Sequence, residues 1–237
     1  MSLGAQPVWQ PKDWQERTTR RPSLRYQFNR ARNKGVVVTE WGTERAQDSR
    51  ELRQVLDSWL RRRGLPPLHF LVEPETLSFL VDRRTFVAEV EGRAVAFLNL
   101  CPVPQRSGWL TEQFPRLPEA PNGTVELLMH EAACKIASEG SEYLTMGLVP
   151  FSEHGNLQDN PRWLRATEWA ARSFGSSLYS FRGLDAFKSK FDPQGWEVVY
   201  AATPNRKFGL VDLLAVLEAF VGTKLSWRHF ARHRSLR

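Results

Sequence analysis

The stretch Arg84–Val103, RTFVAEVEGRAVAFLNLCPV, decides the fold. It alternates through Phe86, Ala88 and Val90, turns at Glu91 and Gly92, and returns through Val95, Phe97 and Leu98. A period of two around a glycine-containing turn is the pattern of an antiparallel hairpin. The next apolar segments change period. After a short strand, GWLTE (108–112), comes APNGTVELLMHEAACKIASEG (120–140), in which Val125, Leu128, Met129, Ala132, Ala133, Ile136 and Ala137 trace one helical face. Such a helix must lie against the sheet that the hairpin begins.

Working outward, EYLTMGLVP (142–150) reads as a buried strand, PRWLRATEWAARSFG (161–175) as a helix and GWEVVYAA (195–202) as a last strand. Upstream, DSRELRQVLDSWLRRRG (48–64) places Leu52, Val55, Leu56, Trp59 and Leu60 at helical spacing, with Asp48 or Ser49 as cap and Gly64 as terminator. PSLRYQFNRARNKG (22–35) reads as a shorter helix that opens at Pro22, stops at Gly35 and turns Leu24, Phe28 and Ala31 to one side. An antiparallel meander, a helix, a central strand, a second helix and a final strand is an α/β order. It is the order of the acyl-CoA N-acyltransferase (GNAT)-like fold, a mixed, mostly antiparallel sheet flanked by helices.

The chain has 237 residues with 41% hydrophobic content, enough for one sizeable core, and a formal net charge of +7. That charge favours a polyanionic partner: nucleic acid, an anionic membrane surface or a phosphorylated metabolite. The cations gather toward the ends. Arg17, Arg20, Arg21, Arg25, Arg30, Arg32 and Lys34 precede the hairpin, and Lys224, Arg228, Arg232, Arg234 and Arg237 follow Gly222 without an acid among them. The expected organisation is therefore a basic N-terminal arm with a short helix (1–35), a GNAT-like domain (36–205), and an apolar helix with a basic tail (206–237). In that tail Trp227 and Phe230 alternate with arginines, the composition of a segment that lies on an anionic bilayer or a nucleic-acid backbone.

Cys101 and Cys134 stand in apolar surroundings and suit a reducing compartment rather than a disulfide framework. The N-terminus lacks a signal-peptide pattern and no apolar run reaches membrane-spanning length, so a cytoplasmic or membrane-surface location is expected. His229 with His233, and His130 with Cys134, have helical spacing but no third ligand, so no metal site is expected.

The segments SLRYQFNRARNKG, LPEAPNGTVELL, EYLTMGLVPFS and YSFRGLDAFKSKFDPQGWEVVYAA, in this order, resemble the C-terminal cytosolic domain of the bacterial phosphatidylglycerol lysyltransferases (multiple peptide resistance factor), the DUF2156 family. The resemblance runs from about Pro22 to about Ala202, and its most specific motif is FKSKF with a proline and a tryptophan behind it. It implies transfer of an amino acid, lysine or alanine, from charged tRNA to the hydroxyl of phosphatidylglycerol or a related acceptor, with aminoacyl-tRNA as donor and no resident cofactor. The family domain is similar to two tandem acyltransferase folds. This chain is too short for both, so a partner protein that supplies the missing fold is one expectation.

That chemistry needs a base, donors for a developing oxyanion, and cations for phosphate. The resemblance points to Glu112 and Arg116 as the acid and arginine before the PNG turn, although TEQFPR departs from the acid-leucine-methionine-arginine run of the family. Glu126 opens the following helix and is a candidate to orient the substrate amine or the arginine. As an acid in a first helical turn it also simply suits the dipole. Asn122 and Gly123 lead into a helix N-terminus, which suits an anion or plain capping. Lys188 and Lys190, with Arg182 nearby, read either as a cationic clamp or as cations at a helix end; two alternate positions of a regular helix do not face one ligand. Arg25, Arg32 and Lys34 are candidates to grip phosphates. Two rival readings stand beside this one. A CoA-dependent N-acetyltransferase would need a second glycine in the APNG turn, and a non-catalytic module would dock RNA or membrane through its basic ends. A serine hydrolase lacks its GxSxG element.

Overall fold

In a computed structural model the described residues are 1–62, 73–165, 181–204 and 208–221. They build an eight-stranded sheet. Strands β2 (Val36–Trp41), β3 (Arg84–Val90), β4 (Arg93–Val103) and β5 (Gly108–Thr111) form an antiparallel meander. The β3–β4 turn is the one expected: Glu91 and Gly92 both take positive φ, which matches the twist of the paired strands. Strand β6 (Tyr143–Thr145) then pairs parallel to β5, the crossover being helix α5 (Thr124–Ser138).

The N-terminus is no arm. Residues Ser2–Trp9 form β1, which pairs antiparallel with β6 and with β7 (Val149–Pro150) on one side and along β8 (Gly195–Tyr200) on the other. The reason is in its pattern: Ala5 and Trp9 are buried, and Trp9 donates from Nε1 to the Phe191 carbonyl at 3.1 Å. Helices α1 (Pro11–Thr19) and α2 (Pro22–Asn33) follow and pack on α5, so residues 1–35 are part of the domain itself. The expected boundary at residue 36 is corrected accordingly.

Two apolar layers enclose the sheet. On one face α1, α2 and α5 bring Trp14, Leu24, Phe28, Leu128 and Met129 against Phe86, Leu98 and Leu100. On the other, α3 (Thr43–Gln47) and α4 (Arg50–Arg61) set Leu52, Val55 and Leu56 on Val87 and Phe97. Ser49 is the α4 cap, its Oγ accepting from Leu52 N at 3.2 Å. A bulge between Ala88 and Glu89 admits Val95 as an extra residue. It shifts the parity of β4, so Ala94 faces α4 while Val95 faces α5.

The segment 142–150 is two strands and not one. Met146, Gly147 and Leu148 leave the ladder between β6 and β7, and Gly147 takes φ of +70° there. Helix α6 (Phe181–Ser189) packs beside this break. The helix expected at 161–175 falls mostly outside the described residues, as do Gly64 and residues 222–237. Helix α7 (Leu210–Val221) is present as expected.

Candidate functional site

The site forms where α5 begins. Pro121, Asn122 and Gly123 make a turn in which Thr124 donates from N and from Oγ1 to the Pro121 carbonyl, at 3.1 and 2.6 Å. Gly123 has φ of +92°, and a Cβ there would stand 2.2 Å from the Gln27 carbonyl of α2. Only glycine allows α2 to come so close, and that approach creates one wall of a cavity of about 540 Å³. Its lining joins Gln27 and Arg30 of α2, Phe114 and Arg116 of the β5–α5 connection, the Pro121–Glu126 turn, and Phe187 of α6.

Glu126 and Lys190 meet at this cavity. Lys190 Nζ donates to Glu126 Oε1 at 2.5 Å, and the ammonium sits 4.0 Å from the Phe187 ring centroid. Their side chains are 16% and 30% exposed, so the pair is screened by protein on one side and open to a ligand on the other. Phe187 is held by Phe114 and by Phe191, edge to face at 5.6 and 5.5 Å. Phe191 is fully buried and stacks on Trp14. The FKSKF motif thus fixes the cation through the core. Arg30 and Arg116 are exposed and carry no ion pair among the described residues. With the first-turn amides of α5, they give the cavity an electropositive rim.

Lys188 does something else. It is 5% exposed, and its Nζ donates to the carbonyls of Met146, Gly147 and Leu148 at 2.6, 2.9 and 3.2 Å. Three carbonyls surround the amino group, while burial pulls its pKa down to about 7 and nearby Asp185 opposes that. Lys188 therefore binds the β6–β7 break and not a ligand beside Lys190. The two lysines point apart, as helical geometry requires.

Other expected residues separate from the cavity. Glu112 lies behind the sheet turn, where Oε1 meets Arg83 Nη1 at 3.1 Å and accepts from Cys101 Sγ at 2.9 Å, and Oε2 accepts from Thr76 Oγ1. Its backbone N donates to Asn99 O and extends the β4–β5 pairing, which turns the side chain toward β3. Arg32 is tied to Glu131 of α5 at 2.7 Å and fastens α2 in place. Arg25 and Lys34 are exposed on α2 and after it, away from the lining. Arg182 opens α6, and its side chain lies outside the described residues.

The buried groups nearby are inert. Burial lifts the Cys101 and Cys134 thiols to about 12 and about 11, where a thiolate is scarce. His130 accepts from Trp14 Nε1 at 3.3 Å and stacks on Phe28, and burial lowers its pKa, so it sits neutral in the helix packing with Cys134 beside it. Gln27, Arg30, Phe114 and Phe187 are among the cavity residues that sequence reading misses. Phe187 stood inside the FKSKF motif. Arg30 had no local signal to separate it from Arg25 and Arg32, because only the docking of α2 on Gly123 selects its face.

An electropositive cavity at a helix N-terminus, with Glu126 in its lining and Lys190 paired to that carboxylate, marks this α/β domain. The chain belongs to the family described as "Phosphatidylglycerol lysyltransferase, C-terminal", whose sequence model matches residues 1–203 and so takes in β1 and α1 as well. It is 29% identical over 157 residues to the phosphatidylglycerol lysyltransferase of Bacillus subtilis, covering 64% of this chain and 17% of that protein. It is 24% identical over 188 residues to an uncharacterised protein of Corynebacterium glutamicum, covering 75% and 23%. The chain thus spans less than a quarter of the length of these relatives. Among solved structures it is similar to the C-terminal DUF2156 domain assigned to a lysylphosphatidylglycerol synthetase of Agrobacterium fabrum, with a TM-score of 0.72, 24% identity, and coverage of 96% of this chain and 67% of that one. The L-PGS structure from Bacillus licheniformis matches with a TM-score of 0.65, 23% identity, and coverage of 93% and 66%. These likenesses show a shared fold.

Proposed function

We propose that this domain transfers an amino acid, lysine or alanine, from aminoacyl-tRNA to the hydroxyl of phosphatidylglycerol or a related anionic acceptor at a membrane surface. The observation that carries the reading is Glu126 in the lining of a cavity rimmed by Arg30 and Arg116, with Lys190 paired to it. Family membership supports the reaction class. The sheet supports a GNAT-like fold, since α5 crosses between two parallel strands and presents its N-terminus to the cavity.

In this reaction the acceptor hydroxyl attacks the ester carbonyl, a C–O bond forms, and the terminal ribose oxygen of the tRNA leaves with a proton. Glu126 takes the hydroxyl proton and passes it to the departing ribose oxygen as its C–O bond breaks. Lys190, paired with that carboxylate, favours the anionic intermediate. Arg116 and Arg30 hold phosphate, either of the acceptor or of the tRNA end.

The test is incubation of the purified chain with radiolabelled lysyl- and alanyl-tRNA and liposomes that contain phosphatidylglycerol, followed by separate extraction of lipid and water-soluble products. Label in lipid establishes the reaction and its donor. Label in a soluble product moves the acceptor. Label in neither, with tRNA bound only at low salt, replaces transfer by binding alone.

A further inference from the structure

Helix α7 carries an exposed apolar stripe, while Asp212, Leu213, Val216 and Glu218 are half-buried. Asp212 is half-buried, accepting from Gly209 N at 2.8 Å and from Thr203 Oγ1 at 2.7 Å, and Glu218 is half-buried too. The exposed positions are Leu210, Val211, Leu214, Ala215, Leu217 and Ala219, none of which is charged. Leu210 and Val211 are 68% and 79% exposed, and Leu214 and Leu217 continue the stripe one and two turns on. A single exposed leucine is ordinary, but a continuous stripe of this kind marks a contact surface.

The sequence beyond the helix says what covers it. Lys224, Arg228, Arg232, Arg234 and Arg237 follow with no acid, and Trp227 and Phe230 stand among them. Cations favour lipid phosphates, and amphipathic aromatic rings favour the boundary between headgroups and acyl chains. Over its described residues α7 runs about 18 Å, against a bilayer core of roughly 30 Å. No helix among the described residues is long and apolar enough to cross one.

We infer that α7 is a membrane-docking helix: its Leu210–Val211–Leu214–Leu217 stripe enters the headgroup region of an anionic bilayer, and the basic segment after it engages the lipid phosphates. The surface lies outside residues 1–203, and it deepens the proposed reaction by bringing the cavity to a lipid acceptor.

The test is flotation of the full chain with phosphatidylcholine vesicles, with and without phosphatidylglycerol, for the wild type and the Leu214→Glu/Leu217→Glu double variant. Both leucines are exposed, so the variant keeps its thermal midpoint. The wild type floats with the anionic vesicles and is released by salt, while the variant binds at least tenfold more weakly. Equal binding by both proteins overturns the inference, as does failure of the wild type to bind. It is also overturned if the wild type sediments as a dimer that the variant abolishes, because a second copy then covers the stripe. Transfer to a water-soluble short-chain phosphatidylglycerol is measured alongside. Transfer with no α7-dependent flotation removes only the docking surface, and α7-dependent flotation without transfer removes only the proposed reaction.

Discussion

Lys190 and Glu126 reach each other from separate elements, one just past the end of α6 and one in the first turn of α5, and their contact at 2.5 Å bridges the cavity wall. A partly exposed pair of this kind contributes on the order of 1 kcal/mol or less to stability. Glu126 lines the cavity, which points to chemistry instead. Lys190→Ala and Glu126→Gln are each expected to lower the transfer rate by roughly 100-fold, the scale of losing one aligned charge or proton acceptor, with thermal midpoints nearly unchanged. Single-turnover transfer and thermal melts check both halves. Full transfer by either variant places the reaction elsewhere.

Lys188 carries the opposite expectation. Lys188→Met leaves the Met146, Gly147 and Leu148 carbonyls without a donor in a buried site, at a cost of roughly 3 kcal/mol or more. The pH dependence has a definite sign. The folded pKa is about 7 against an ordinary 10.5, so between those values the unfolded chain holds a proton that the folded chain has released. The Lys188 contribution is therefore greatest above the unfolded value and is lost as pH falls toward 7. Urea midpoints measured across that window rise with pH in the wild type and lose that part of the slope in the Met variant. A variant with unchanged stability and an unchanged slope shows that Lys188 does not hold the strand break.

The hairpin, the α5 face and the final strand were legible because each rests on local periodicity. The role of residues 1–9 was not. SLGAQPVW alternates too weakly to announce a strand, and its partners lie nearly two hundred residues away, at Gly195–Tyr200. The site divides in the same way. Arg116, Asn122, Gly123 and Glu126 sit in short motifs that the fold brings to one cavity, with Lys190 paired to Glu126. Glu112 and Lys188 join hydrogen-bond networks away from that cavity, and a charged residue in a motif looks the same whether it faces a ligand or closes such a network. Only the donors and acceptors supplied by distant segments decide that.

Glu112 tests this distinction. Its carboxylate joins Arg83, Thr76 and Cys101. Asn99 and Thr85 extend that chain of hydrogen bonds across β3 and β4. Glu112→Gln removes the charge beside Arg83 while keeping the shape, and is expected to cost about 1 to 3 kcal/mol in chemical denaturation. Transfer below the melting transition stays within about threefold of wild type, because the carboxylate touches no cavity residue. A loss of the size expected for Glu126→Gln, without a loss of stability, would return Glu112 to the catalytic set.

Gly123→Ala separates the architecture of the cavity from its charges. The left-handed backbone at this position costs a non-glycine residue about 1 to 3 kcal/mol, and the new methyl group adds a clash with the Gln27 backbone of α2 that no rotamer relieves. Either the turn reshapes or α2 moves away, and both displace Arg30 and the first-turn amides while leaving every ionisable side chain in the sequence. The expected result is a lowered melting midpoint together with weaker binding of the anionic acceptor, read as a raised KM at a temperature where the variant is still folded. The salt dependence of acceptor binding should flatten as well, because fewer cations reach the phosphate. A variant that loses stability but keeps its KM and its salt dependence would show that the close approach of α2 to Gly123 serves folding alone, and that the phosphate is held by Arg116 without help from α2.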